Sequence, residues 1–362
     1  MPNSSAPPEV CGAAQHGAAC LAAVRVDAYN VELRDAQGFI SDRASGWAFH
    51  AILEDWRGRL QRVGDDPIGG DASAEGGEKG ALDRLLADGE PEAAGLVLGT
   101  VEDFAQEFAT VVRRLLRPRD WHDTQRVAVG GGLRASRVGE IAIGRAGVLL
   151  KAEGLDIALR PIRHHPDEAG LIGYVQLAPA DALAGSGAIL AVDIGGSNIR
   201  AGVVALNQGE APDLAAAKVA EAELWCHAED APGRDEVVRR LGQMLRGLIA
   251  RAAEAGLSLA PFIGVGCPGV IAADGSIERC GRNLPGGDWE GSGFNLPERL
   301  RGLVPTIEDH ATAVLMHKDV VVQGLSEVPF QRGVVERWGV LTIGTGLGNA
   351  RFTNRTRARI PA

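Results

Sequence analysis

Residues 189–206 read ILAVDIGGSNIRAGVVAL. An apolar run ends at Asp193, two glycines and two short polar residues follow, and a second apolar run begins at Ile199. The pattern predicts a strand, a tight turn and a second strand. Paired glycines let a backbone approach a phosphate closely and aim N–H groups at it. A carboxylate at a strand end can hold the water shell of a magnesium ion. An ordinary hairpin turn would read the same. Such a stretch usually opens a domain, yet about half the chain lies ahead of it.

The whole chain has 362 residues, enough for two domains or one bilobal unit. Apolar residues make up 45 % and the net charge is −10. That balance argues against nucleic-acid and anionic-membrane partners, both of which need a basic face. The five cysteines, Cys11, Cys20, Cys226, Cys267 and Cys280, are odd in number and lack CxxC spacing. Reduced thiols and a cytoplasmic location are expected, not a disulfide framework or a cysteine zinc site. The opening MPNSSAPPEV has no signal-peptide pattern, and no apolar run reaches the roughly 18 residues of a membrane span.

Outward from the quoted stretch, strands alternate with helices, which argues for α/β layers. Ahead of it come a strand in 21–33, a helix over Ala48–Val63, a Gly/Asp/Glu-rich loop and a short helix over Leu82–Asp88. A long helix closed by Pro118, a strand over Arg126–Val129 and a helix over Ser136–Leu150 follow. The strand IALRPIRHH, a helix from Pro166 and the linker ADALAGSG complete the first half. After it come a strand over Ala217–Trp225, a helix over about Asp235–Ala255 and the strand of FIGVGCPGVI. TIEDHATAVLMHKDVVVQG reads as a strand running into a helix, and VLTIGTGLGNARFTN as strand, glycine turn, strand. His164 and His165 would point to opposite faces of their strand and so do not form a metal pair.

Three glycine turns therefore stand after strands: Gly195–Gly196, Gly344–Gly348 and Gly130–Gly132. Two of them sit in hairpins, as gripping a nucleoside triphosphate from both sides requires. Asp309 ends the short strand before an apolar stretch, where a carboxylate can accept the proton of an attacking hydroxyl. It could equally cap the helix that follows. His310 is either an acid/base partner or an exposed residue of the helix start.

DIGGSNIRAGVV, GVGCPGVI, NLPGGDWEGSGFNLPERL and LTIGTGLG, in that order, resemble the ROK family of sugar kinases and repressors, which includes bacterial glucokinases and N-acetylhexosamine kinases. The match runs from about Ile189 to Ala350. It implies an α/β, actin-like ATPase (ribonuclease H-like) fold of two lobes. It implies ATP, Mg²⁺ and phosphoryl transfer to a hydroxyl of a hexose or hexosamine, and it is compatible with a homodimer. Asp193, Gly195, Gly196, Ser197 and Asn198 would form the first phosphate loop, with Asp193 placing Mg²⁺ through water. Gly344, Thr345, Gly346 and Gly348 would form the second. Gly130, Gly131 and Gly132 would flank adenosine. Asn283, with Glu308 and Gly269, would contact the sugar, and Asp309 would be the base.

Three departures accompany the resemblance. The family's Asn-Asp pair before the catalytic helix is replaced by Glu308-Asp309-His310. Aligned from the preceding Ile-Glu, the base falls on His310; aligned from the helix, it falls on Asp309, which keeps the carboxylate at the strand end. The family's CxCGxxGC segment is absent, so no zinc site is expected. The Glu and His that follow the second phosphate loop are absent too. These departures leave open a non-catalytic sugar- or nucleotide-binding regulatory protein. Arg351, Arg355, Arg357 and Arg359 leave open polyphosphate as donor, unless they form a solvated tail.

The first half carries what the second lacks. Its long helix, RVAVGGGLRASRVGE and IALRPIRHHPDEAGLIGYVQLA resemble the family's adenosine-side helix, adenosine loop and closing strand and helix. The order is second part, then first part: a circular permutation, with a fused unrelated domain as the alternative. The expected organisation is a flexible tail at 1–20, the larger part of the nucleotide lobe at 21–165, and the closing helix and linker at 166–186. The first lobe follows at 187–325, and the hairpin with the second phosphate loop at 326–362. Arg126–Val129 should then share a sheet with Val340–Ile343.

Overall fold

The computed structural model describes residues 15–36, 38–69, 77–281, 284–291 and 293–355. In chain order its principal elements are β1 (Val24–Tyr29), α1 (Gly46–Gln61), α2 (Gly77–Asp88), α3 (Pro91–Leu115), β2 (Arg126–Gly130), α4 (Arg137–Ala152), β3 (Ala158–Pro161) and α5 (Pro166–Ile172). Then come β4 (Ala188–Ile194), β5 (Ile199–Ala205), β6 (Lys218–Trp225), α6 (Arg234–Glu254) and β7 (Leu259–Cys267). The chain ends with β8 (Thr306–Ile307), β9 (His310–Ala311), β10 (Ala313–Lys318), α7 (Asp319–Leu325), β11 (Arg337–Ile343) and β12 (Leu347–Asn354). It divides into two compact units. One comprises 1–26, 170–329 and 353–362; the other comprises 27–169 and 330–352.

The first unit is built on a five-stranded sheet in the order β10-β7-β4-β5-β6. β4, β5 and β6 are antiparallel neighbours, while β7 and β10 run parallel to β4. β4 is buried nearly throughout, as a strand covered on both faces must be, and β6 alternates because one of its faces meets water. Val237, Leu241, Leu245 and Leu248 of α6 pack on Leu190, Val192 and Val203. Full burial of each such side chain contributes about 1.5–3 kcal/mol. Residues 16–20, expected as tail, are instead tied to the outer edge of β10: Gly17 N–H donates to the Met316 carbonyl, and His16 Nδ1 accepts from Met316 N–H. These bonds cover an edge that would otherwise be open to strand addition. Cys20 is disulfide-bonded, which corrects the expectation of reduced thiols, whereas Cys226, Cys267 and Cys280 are free.

The second unit has its own five-stranded sheet, in the order β1-β12-β11-β2-β3. β2 lies parallel to both β11 and β3. Three residues join β11 to β12, so these neighbours form a hairpin. Phe104 and Phe108 of α3 pack with Val138 and Ile143 of α4 and Val129 of β2. Ser136 caps α4 by accepting from Gly139 N–H at 3.1 Å, and the Asp83 carboxylate accepts from the N–H groups of Arg137 and Val138. Both are the bonds that a helix start lacks within itself. Arg351 is buried in β12, ion-paired with Asp27 of β1, and Arg355 donates to the Leu21 carbonyl. They hold the fold rather than form a solvated tail; Arg357 and Arg359 lie outside the described residues.

Most element positions agree with the sequence reading. The exception is 308–318. ATAVLMHK was read as the start of a helix, but it is β9 and the buried parallel strand β10, and the helix begins ten residues beyond Asp309, at Asp319.

Candidate functional site

In the first unit, the side chains of interest gather at the carboxyl end of the parallel strands β4, β7 and β10. This is the end where open α/β sheets bind ligands. Asp193 of β4 and His317 of β10 both pair in register with Gly266 of β7. Two strand spacings, about 10 Å, separate the outer backbones. Glycine between them leaves the row without a side chain at its centre. A Cβ on Gly266 would come within 3.3 Å of Asp193 Oδ1, and one on Gly170 of α5 would come within 2.9 Å of Oδ2. The Asp193 carboxylate thus occupies a slot that only glycines leave open.

The turn after Asp193 is closed by Gly195 N–H donating to the Asn198 carbonyl at 2.8 Å. Gly196 and Ser197 at its tip are exposed. From outside, the buried His227 ring lies 3.0 Å from the Gly195 carbonyl, and Ala228 N–H donates to Ser197 O. Sequence reasoning passed over this histidine, and nothing in its spacing singles it out.

The carboxylate that follows β10 at this end of the sheet is Asp319, not Asp309. Glu308 and Asp309 are the two turn residues of the β8–β9 hairpin, with φ of 48° and 66°. β10 then runs from them across the sheet, so they lie at its opposite, amino end, about 20 Å away. The Glu308 carboxylate accepts from Leu259 N–H at 2.7 Å and from Ser258 Oγ at 3.1 Å, which pins the hairpin to the start of β7. Neither Glu308 as a sugar contact nor Asp309 as a base fits that place, and His310 is exposed on β9. Gly269 turns the chain after β7 with φ of 112°, and a Cβ there would meet Ile277 at 2.8 Å. Its role is to make that turn. Asn283 lies outside the described residues.

Asp319 is the first residue of α7, next to the positive end of the helix. Its Oδ1 accepts from Val320 N–H at 2.6 Å and lies 2.7 Å from Lys318 Nζ. Its Oδ2 makes no bond to the described residues. One oxygen is therefore anchored while the other remains available. Behind the row, Tyr174 packs on Gly264, where a Cβ would sit 2.1 Å from the ring. Burial, with Asp193 nearby, pushes the Tyr174 phenol up, so the phenol stays protonated. Its hydroxyl lies by the backbone of His317 without a well-formed hydrogen bond. Burial pushes the Cys267 thiol up as well, with the Asp319 carboxylate adding to it, so Cys267 is not a nucleophile.

In the second unit the two other glycine turns leave neighbouring parallel strands at their carboxyl ends. Gly130 pairs in register with Thr342. Gly131 has φ of 84°, and a Cβ there would lie 2.5 Å from the Ile343 backbone. Positive φ and that contact both exclude any side chain. The β11–β12 turn is closed by Gly344 N–H to Gly346 O at 2.9 Å and braced by Gly46 N–H to Gly344 O at 2.7 Å. Thr345 and Gly346 are exposed at its tip.

Among the described residues no three His, Cys, Asp or Glu gather as a metal cluster. A strand-end carboxylate beside an exposed glycine turn suits Mg²⁺, which keeps most of its waters and takes one or two protein carboxylates. Among the described residues no helix is long and apolar enough to cross a membrane.

No protein-family model and no curated protein sequence matches the chain. Among solved structures, a candidate sugar kinase from Cytophaga hutchinsonii is similar at 19 % identity and TM-score 0.35, over 46 % of this chain and 48 % of that one. A candidate N-acetylmannosamine kinase from Listeria monocytogenes is similar at 21 % identity and TM-score 0.33, over 46 % and 47 %. An exopolyphosphatase-like protein is similar at 15 % identity and TM-score 0.28, over 67 % and 86 %. The chain spans about half the length of the first two.

Proposed function

We propose that this chain is an ATP-dependent kinase of a sugar-like alcohol, of ROK type, with a circularly permuted actin-like fold and Asp319 as its base. The observation that carries the reading is the placement of Asp193 and Asp319 on either side of Gly266, at the carboxyl end of the first sheet. ATP supplies the phosphoryl group and Mg²⁺ neutralises its charge. Asp193 would hold the Mg²⁺ water shell, and the backbone of Gly195–Asn198 would line a phosphate. Taken by itself, the second unit offers the exposed Gly344–Gly346 turn as a phosphate loop and the bare backbone at Gly131 as a surface for a flat adenosine. Asp319 Oδ2 takes the hydroxyl proton of the acceptor. As it does so, the acceptor O–P bond forms, the bond from the γ-phosphorus to the bridging oxygen breaks, and its electron pair leaves with ADP. Positioning and charge neutralisation, rather than covalent chemistry, supply most of the rate in such a site.

The permutation is supported by the strand orders. Each sheet has a central strand with two strands on one side and two parallel strands on the other, and in the first sheet the former pair follows the central strand directly in the chain. In the first sheet the order of use is β4, β5, β6, β7, β10. In the second it is β11, β12, β1, β2, β3, so the chain begins at the third position and ends at the second. Coupled ADP release with ATP and Mg²⁺, screened over hexoses, N-acetylhexosamines and their acids, tests the activity. Absence of turnover with every acceptor would favour the regulatory, non-catalytic reading.

A further inference from the structure

Lys318 is a cation in a nearly closed place. It is the last residue of β10, in register with Cys267, and is only 8 % exposed. An ammonium offers three N–H donors. One is met by Asp319 Oδ1 at 2.7 Å, an oxygen that Val320 N–H also occupies. Among the described residues no other acceptor is bonded to the ammonium. Two donors of a buried cation and one oxygen of its carboxylate partner are thus left for something outside the protein. Leaving such donors unmet on a largely buried cation is costly, so the arrangement selects for a ligand that supplies oxygen acceptors.

We propose that Lys318 is the specificity residue of this site: the acceptor alcohol carries a carboxylate, which sits on the Lys318 ammonium while a neighbouring hydroxyl sits on Asp319 Oδ2. The proposal rests on the reading of Asp319 as the base and adds the class of acceptor, a sugar acid rather than a neutral sugar. Charge decides between carboxylate and phosphate. The ammonium shares this end of the sheet with two carboxylates, Asp193 and Asp319, both close enough to act on the Cys267 thiol. A dianionic phosphate would meet the like charge of Asp319 beside the ammonium, whereas a monoanion matches Lys318.

The test is calorimetric titration of the full-length chain with D-gluconate, D-glucose and D-glucose 6-phosphate, which needs no turnover. Gluconate should bind about tenfold or more tightly than glucose, the worth of one charge-assisted hydrogen bond. Lys318→Asn should abolish the preference and Lys318→Arg should retain part of it, each with its melting temperature checked. Equal or tighter binding of glucose by the wild-type chain would overturn the proposal, even if Lys318→Asn failed to fold. So would tightest binding of the phosphate, or binding of none of the three. Turnover of a neutral sugar without gluconate preference would sink this proposal and spare the kinase. Gluconate binding without phosphoryl transfer to any acceptor would do the reverse.

Discussion

At the scale of single residues, Asp309 and Asp319 make opposite predictions. Asp319→Asn removes the proton acceptor but keeps the bond from Val320 N–H, so kcat should fall by about a hundredfold or more with ATP affinity nearly unchanged. Asp309→Gly should leave kcat intact. It should also raise stability by up to about 1 kcal/mol in denaturant titration, because a left-handed turn position suits glycine. Loss of activity in Asp309→Gly would restore the original assignment. His317 predicts a pH effect. Its ring lies 3.1 Å from the Ala18 carbonyl and accepts from Lys318 N–H, and burial pushes its pKa down to about 4, from 6.5. The folded value is the lower one, so the unfolded chain binds the extra proton. Stability is then full above about pH 6.5 and falls as pH drops toward 4, by up to about 3 kcal/mol. His16 and His164 are also lowered by burial and act in the same direction. Urea midpoints at pH 7 and pH 5 should therefore differ less in His317→Gln than in the wild-type chain.

At the scale of elements, glycine turns were legible and the buried strand was not. Gly131 can be read from sequence because φ of 84° beside the Ile343 backbone leaves no other residue possible. Gly131→Ala should therefore cost on the order of 3 kcal/mol or more, from strain and from separation of β2 and β11. The check is a thermal melt, with nucleotide binding lost in any protein that still folds. β10 left no such mark. A parallel strand covered on both faces is a continuous apolar run, and AVLM serves a helix period as well as a strand period. The β8–β9 turn gave no warning either. A two-residue hairpin with both φ positive favours Asn-Gly, and Glu308-Asp309 mimics a helix start instead. The remaining clue was Asp319 itself. An acid followed by three valines has poor helix propensity, and α7 is held by burial of Val320, Val321 and Val322 against that preference. Propensity and tertiary packing disagreed there, and packing decided.

At the scale of the whole molecule, the strand order makes the permutation testable by re-joining the chain. β12 and β1 are neighbours in their sheet but lie at opposite ends of the sequence. α5 and the turn that follows it pack on the first unit through two glycines. Gly170 sits against Asp193, and Gly173 sits where a Cβ would come within 1.8 Å of the Val322 carbonyl. The segment from α5 to β4 is then one connection among several that could serve. A chain running 187–362, a short Gly/Ser linker and 1–184 would cut that connection, join β12 to β1 instead and keep residues 16–20 on the edge of β10. Every strand keeps its neighbours, so it should fold with the same ATP affinity and the same acceptor. Loop-closure entropy alone changes, by about 1 kcal/mol. Residues 187–362 alone should not fold stably, because β11 and β12 would lose β1, β2 and β3 and expose open edges. A soluble fragment from 187 onward that still binds ATP would mean that the first half is a separate domain. Failure of the re-joined chain to fold, with the linker long enough to span β12 to β1, would say the same.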